Sequence, residues 1–90
     1  MLRRLILDVL KPHRPSNIDI ATELCKIKGV DGVHIITYNK ETEVESVRIT
    51  IEGKKLNFNR IEKILKKMGA SIQSVDAVAA GRKIITELQR

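Results

Sequence analysis

The spacing of apolar residues in this 90-residue chain predicts an α+β fold, a β-α-β-β-α-β sandwich with a four-stranded antiparallel sheet and two helices on one face. Three observations carry the prediction. Apolar and polar residues alternate over Leu2–Leu10 and Val44–Glu52, the two-residue period of a strand covered on one side. Apolar residues recur every three to four positions over Ser16–Lys28 and Asn57–Met68, and each stretch starts at a capping residue and ends at a glycine. The strand–helix–strand unit occurs twice, with no linker or low-complexity segment between the copies.

The first strand, Leu2 to Leu10, puts Leu5, Leu7 and Val9 on one face and Arg4, Ile6 and Asp8 on the other. Pro12-His13-Arg14-Pro15 interrupts it, because two prolines remove backbone donors. Ser16 caps a helix running to about Lys28, with Asp19 as a weak box partner, and Gly29 stops it. The apolar side of this helix is Ile20, Ala21, Leu24, Cys25 and Ile27. Val30–Tyr38 and Val44–Glu52 read as the second and third strands around a turn at Asn39–Glu43, with Val47, Ile49 and Ile51 inward. Asn57 caps the second helix, whose core positions are Phe58, Ile61, Leu65 and Met68, and Gly69 closes it. Ile72–Val78 is the fourth strand. Residues 1–80 thus form one ferredoxin-like domain, and 81–90 a short charged C-terminal tail with helical spacing around Ile84, Ile85 and Leu88.

In the strand order 4-1-3-2 the first strand is central. Its even-numbered residues then share the uncovered face with Asp8 near Arg48, and Arg4 near Glu52 and Asp76. A lattice of opposite charges that fixes register, at about 0.2–1 kcal/mol per pair, explains these groups better than a catalytic carboxylate pair. Ile6, Leu10, Ile36 and Tyr38 share that face, and a row of apolar side chains on an open sheet suggests a partner surface.

Charge is distributed in blocks. The net charge is +6, yet residues 1–14 carry +3, residues 15–53 carry −3 and residues 54–90 carry +6. A bipolar chain suits self-association at least as well as nucleic acid. Tyr38 and Phe58 are the only aromatic residues, too few for a base-stacking sheet. A single cysteine, Cys25, allows no intrachain disulfide and fits a reducing compartment, and no apolar run is long enough for a leader or a membrane span. A cytoplasmic protein without membrane partners is expected.

Four candidate sites emerge. Lys11, His13, Arg14 and Ser16, in the loop before the first helix, set cationic groups beside a helix N-terminus, an arrangement that suits a small anion. The loop lacks the glycines of the acylphosphatases, which share this topology, and a rigid structural turn is its ordinary reading. Glu41, Glu43 and Glu45 alternate and so share one side of the hairpin, where carboxylate oxygens suit calcium or magnesium; solvated glutamates are the ordinary reading there. Arg60, Lys63, Lys66 and Lys67 make the second helix basic, either as a solvated face or as a surface for nucleic acid. A third reading joins the two poles: the acidic hairpin of one copy meets the basic helix of the next, head to tail, so Glu41, Glu43, Glu45, Arg60, Lys63, Lys66 and Lys67 form an oligomer interface. His34 and Cys25 have no arrangement of neighbours that points to catalysis or to a soft metal. No enzyme is expected.

The segments Leu7-Asp8-Val9-Leu10-Lys11-Pro12-His13, Pro15-Ser16, Gly29-Val30-Asp31-Gly32-Val33, Thr50-Ile51-Glu52-Gly53, Ser74-Val75-Asp76 and Ala80-Gly81 together resemble an archaeal family of small proteins, domain of unknown function 211. The resemblance covers nearly the whole chain. It implies a ferredoxin-like fold and ring-like homo-oligomers, and it implies no reaction. Relatives tend to be acidic after the Glu-Gly pair, whereas this chain has Lys54 and Lys55. An archaeal source also fits the richness in lysine, glutamate and isoleucine. The expected function is that of a non-enzymatic, self-assembling binding or regulatory protein that takes a small anion or hard cation; sequence-nonspecific nucleic-acid binding through the second helix is the alternative.

Overall fold

A computed structural model of the chain describes residues 1–86 and has the expected order: β1 (Leu2–Pro12), α1 (Asn17–Cys25), β2 (Val30–Lys40), β3 (Val44–Leu56), α2 (Phe58–Lys67) and β4 (Ser71–Ala80). The strands form one antiparallel sheet in the order β2-β3-β1-β4, and both helices cover one face of it. The result is a two-layer slab of 41 × 35 × 18 Å.

The core follows from the period of the strands. Leu5, Leu7 and Val9 of β1 lie opposite Ile51, Ile49 and Val47 of β3, and all six are buried against Ile20 and Leu24 of α1 and Ile61 and Leu65 of α2. Each such aliphatic side chain contributes about 1.5–3 kcal/mol on leaving water. The caps are those read from the sequence. Ser16 Oγ accepts from the Asp19 amide at 3.2 Å, and Asn57 Oδ1 accepts from the Arg60 amide at 3.0 Å. Gly69, just past α2, has a φ of 84°.

Several details differ from expectation. Helix α1 ends at Cys25, so Cys25 is exposed rather than part of the apolar side, while Ile27 reaches the core from the following turn. Strand β4 pairs with β1 through bulges beside Ile6–Leu7 and Asp8–Val9. Each bulge inserts an unpaired residue and shifts the register. Arg4 therefore lies opposite Ala79 rather than near Asp76, and Asp76 accepts from the Ser74 hydroxyl at 2.7 Å. Residues 81–86 form no helix; they fold back beside the start of β1, where Gly81 donates to the Met1 carbonyl and Arg3 donates to the Arg82 carbonyl at 2.7 Å. Leu88, the last position of the expected helical spacing in the tail, lies outside the described residues.

One close approach holds the end opposite the β2–β3 hairpin. Gly29 has a φ of 98°, which only glycine adopts without strain, and it packs directly on β3. A Cβ on Gly53 would sit 1.9 Å from the Gly29 carbonyl oxygen, and one on Gly29 would sit 2.3 Å from the Lys55 carbonyl oxygen. Backbone meets backbone, so no side chain can yield. Gly53→Ala is expected to destabilise the fold by at least about 1–3 kcal/mol, the usual range for overpacking. Gly32→Ala, with nothing within 4 Å of its Cβ, should stay within about 0.5 kcal/mol of the parent. Urea unfolding followed by circular dichroism at one protein concentration checks both.

Candidate functional site

The strand period reaches beyond the aliphatic residues. Strand β1 continues to Pro12, so Lys11 follows Leu5, Leu7 and Val9 onto the covered face, and Glu45 follows Val47 there from β3. Lys11 is 1% exposed and Glu45 7% exposed, and they are opposite one another in register. The Lys11 ammonium lies 3.0 Å from Glu45 Oε1. The other carboxylate oxygen, Oε2, lies 2.7 Å from His13 Nδ1, and His13 Nε2 lies 3.0 Å from the Thr42 carbonyl oxygen.

Both ring nitrogens of His13 thus face groups that only accept, which favours the doubly protonated imidazolium. The hydrogen bond to Glu45, helped by the Thr42 carbonyl, raises the His13 pKa above its ordinary 6.5. The bond from His13 and the neighbouring Lys11 ammonium hold the Glu45 pKa below 4.5, against the opposing effect of burial. The arrangement is a buried carboxylate between two cations. It ties the first loop, the hairpin turn and the central strand together at one end of the sheet.

This geometry separates the residues singled out from the sequence. Lys11 is not a loop cation but a buried ammonium already neutralised. Ser16 is engaged as the α1 cap, and Arg14 is exposed beside a shallow cleft of about 380 Å³ that it shares with His13 and Asp19. Glu41 and Glu43 are exposed in the turn, where the two-residue repeat is broken, while Glu45 points inward. The three glutamates therefore do not converge, and among the described residues no three His, Cys, Asp or Glu side chains come together around a metal position. Parity would have located the Lys11–Glu45 pair: both positions are odd, like the core residues Leu5, Leu7 and Val9 of β1 and Val47, Ile49 and Ile51 of β3.

The open face is partly polar and partly apolar. Arg4 lies 3.7 Å from Glu52, as expected. Asp8 is opposite Arg48 in register, but it accepts a hydrogen bond from the Tyr38 hydroxyl, and the Arg48 guanidinium stacks over the Tyr38 ring at 5.4 Å. The Asp8 carboxylate beside the hydroxyl raises the Tyr38 pKa. Ile36 and Tyr38 are each 52% exposed, and Ile6 and Leu10 are half-buried beside them. Arg60, Lys63, Lys66 and Lys67 are all exposed on α2. Among the described residues, the outer edges of β2 and β4 have no strand neighbour.

The sequence profile of domain of unknown function 211, a family described as uncharacterised ArCR, matches residues 3–90. The chain belongs to this family. An uncharacterised protein of Methanocaldococcus jannaschii, an archaeon, is 44% identical over 88 residues, which is 98% of this chain and 91% of that relative. Among the described residues of this family member, no helix is long and apolar enough to cross a membrane.

Removing one partner of a buried ion pair leaves a bare charge, at a cost of about 3–5 kcal/mol. Glu45→Ala is expected to destabilise by that amount, and the paired change Lys11→Met with Glu45→Leu to be close to neutral, as read from unfolding midpoints. The pH dependence has a definite sign. A raised His13 pKa contributes stability that is complete below 6.5 and is lost as pH rises through the folded value. A lowered Glu45 pKa contributes stability present above 4.5 that is lost as pH falls through the folded value. The unfolding midpoint should therefore decline from pH 6 to pH 9, and His13→Gln should flatten that decline.

Proposed function

We propose that this chain is a non-enzymatic self-assembling protein that forms ring-like homo-oligomers, with a binding or regulatory role. The observation that supports it most is the relation between its two free edges. Strand β2 runs toward the hairpin end and β4 runs away from it, so two copies in the same orientation bring these edges together antiparallel. The same alignment sets the exposed Glu41 and Glu43 of one copy level with Lys66 and Lys67, in the last turn of α2, of the next. Pro12 beside Gly69 fixes that end of α2 at the hairpin end. Edges of 11 and 10 residues are long for an unprotected sheet. The bulges in β4 shorten any continuous ladder, which leaves charge and the exposed Ile36, Val75 and Val78 to complete the contact. A heterologous contact of this kind closes into a ring when its rotation divides the circle.

The exposed cations of α2 favour one rival, nonspecific nucleic-acid binding, whose affinity would fall steeply with salt. Native mass spectrometry, with and without a chelator, separates the two. A discrete closed oligomer is expected, and an excess mass lost to the chelator would reveal a bound calcium or magnesium ion. Glu43→Lys and Lys67→Glu should each weaken the oligomer, and the two variants should associate when mixed. A monomer under all conditions, or variants that keep the parent mass, would overturn the electrostatic contact.

A further inference from the structure

A cleft of about 690 Å³ lies at the end opposite the hairpin, between the turn after α1 and the start of α2. That is the size of a small-molecule site. Its chemistry is uneven in a useful way. Ile27, Leu56 and Phe58 supply apolar surface, and Lys28, Lys55 and Arg60 bring three exposed cations to the rim. None of the three makes an ion pair among the described residues. Helix α2 begins at the cleft, its first turn contains no acidic residue, and the amides of Phe58 and Asn59 have no acceptor within the helix. Asn59, exposed on the same wall, offers an amide donor and acceptor.

We infer that this cleft binds a nucleoside phosphate, the phosphates held by Lys28, Lys55, Arg60 and the start of α2, and the base lying against Phe58 within reach of Asn59. Positive charge alone would take any anion. The partly exposed aromatic ring beside apolar walls and a free amide selects one that carries a planar, hydrogen-bonding body. Lys28 and Lys55 are held on either side of the Gly29–Gly53 approach, so the rim is positioned by contacting backbone rather than by flexible loops. The lining of the cleft includes none of Glu41, Glu43, Lys66 and Lys67, and the inference holds whether the chain is a monomer or a ring.

The test is calorimetric titration of the full chain with ATP, inorganic tripolyphosphate and adenosine, together with amide chemical-shift mapping. ATP is expected to bind at least tenfold more tightly than either of its parts, with shifts concentrated at residues 27–29 and 55–60. Lys28→Glu with Arg60→Glu should weaken ATP at least tenfold. Arg14→Glu, the same kind of charge reversal at the other end, should change it less than twofold. Phe58→Leu keeps an apolar side chain but removes the ring, and should weaken ATP severalfold while leaving tripolyphosphate unchanged. Tripolyphosphate binding as tightly as ATP would reduce the site to a nonspecific anion patch and overturn the inference. So would equal losses in the Arg14 and the Lys28/Arg60 variants, or single-stranded DNA that outcompetes ATP and still binds the Lys28/Arg60 variant.

Discussion

Everything in this fold depends on the two-residue period of the central strand. Strand β1 is flanked on both sides, so each of its side chains is committed either to the helices or to the open face. The odd residues build the core with β3, and the same rule carries Lys11 inward. An ammonium in that position requires a carboxylate, and the register supplies Glu45 directly across the ladder. The second oxygen of that carboxylate then recruits His13 and, through it, the hairpin carbonyl of Thr42. A polar chain of this kind specifies where the ends of three segments meet, which an aliphatic core alone leaves less sharply defined.

The even residues have the opposite fate. From Arg4 to Leu10 they face away from the helices, and no helix or strand of the described residues covers them, although Thr86 in the segment after β4 accepts from Arg4. Charges there find partners within the sheet, through Arg4 with Glu52 and through Asp8, Tyr38 and Arg48, while Ile36 stays half in water. The molecule thus has two kinds of unfinished surface. One is the open face with its free edges, suited to another copy. The other is the basic cleft at the far end, of a size and chemistry suited to a small ligand.

Most of the fold was legible in the sequence because period, caps and glycines act locally. The strand order followed from the βαββαβ element order and its usual sheet, the Arg4–Glu52 pairing from parity within that order, and both N-caps from Ser16 and Asn57. What escaped was set by non-local geometry. The bulges of β4, which move Asp76 away from Arg4, depend on how an edge strand settles against its neighbour. Glu41, Glu43 and Glu45 looked equivalent by spacing, but only Glu45 lies within a strand, and the turn ends the alternation before the other two. The basic cleft was also hidden, since it joins residues 27–29 to residues 55–60 through the contact of Gly29 with β3.

The strand order also shapes how the chain reaches this structure. Only β2 and β3 are neighbours both in sequence and in the sheet, and they can zip as a hairpin within microseconds. The strand that organises the core comes first in the chain, yet its partners are the third and the fourth. Leu5 waits for Ile51 on one side and Val78 on the other, pairings that close most of the chain into loops. The contacts that build the core are therefore the ones most distant in sequence, and the loop-closure entropy of the central strand is lost before its packing offsets it. A chain with this order is expected to fold more slowly than one of the same length built from local contacts.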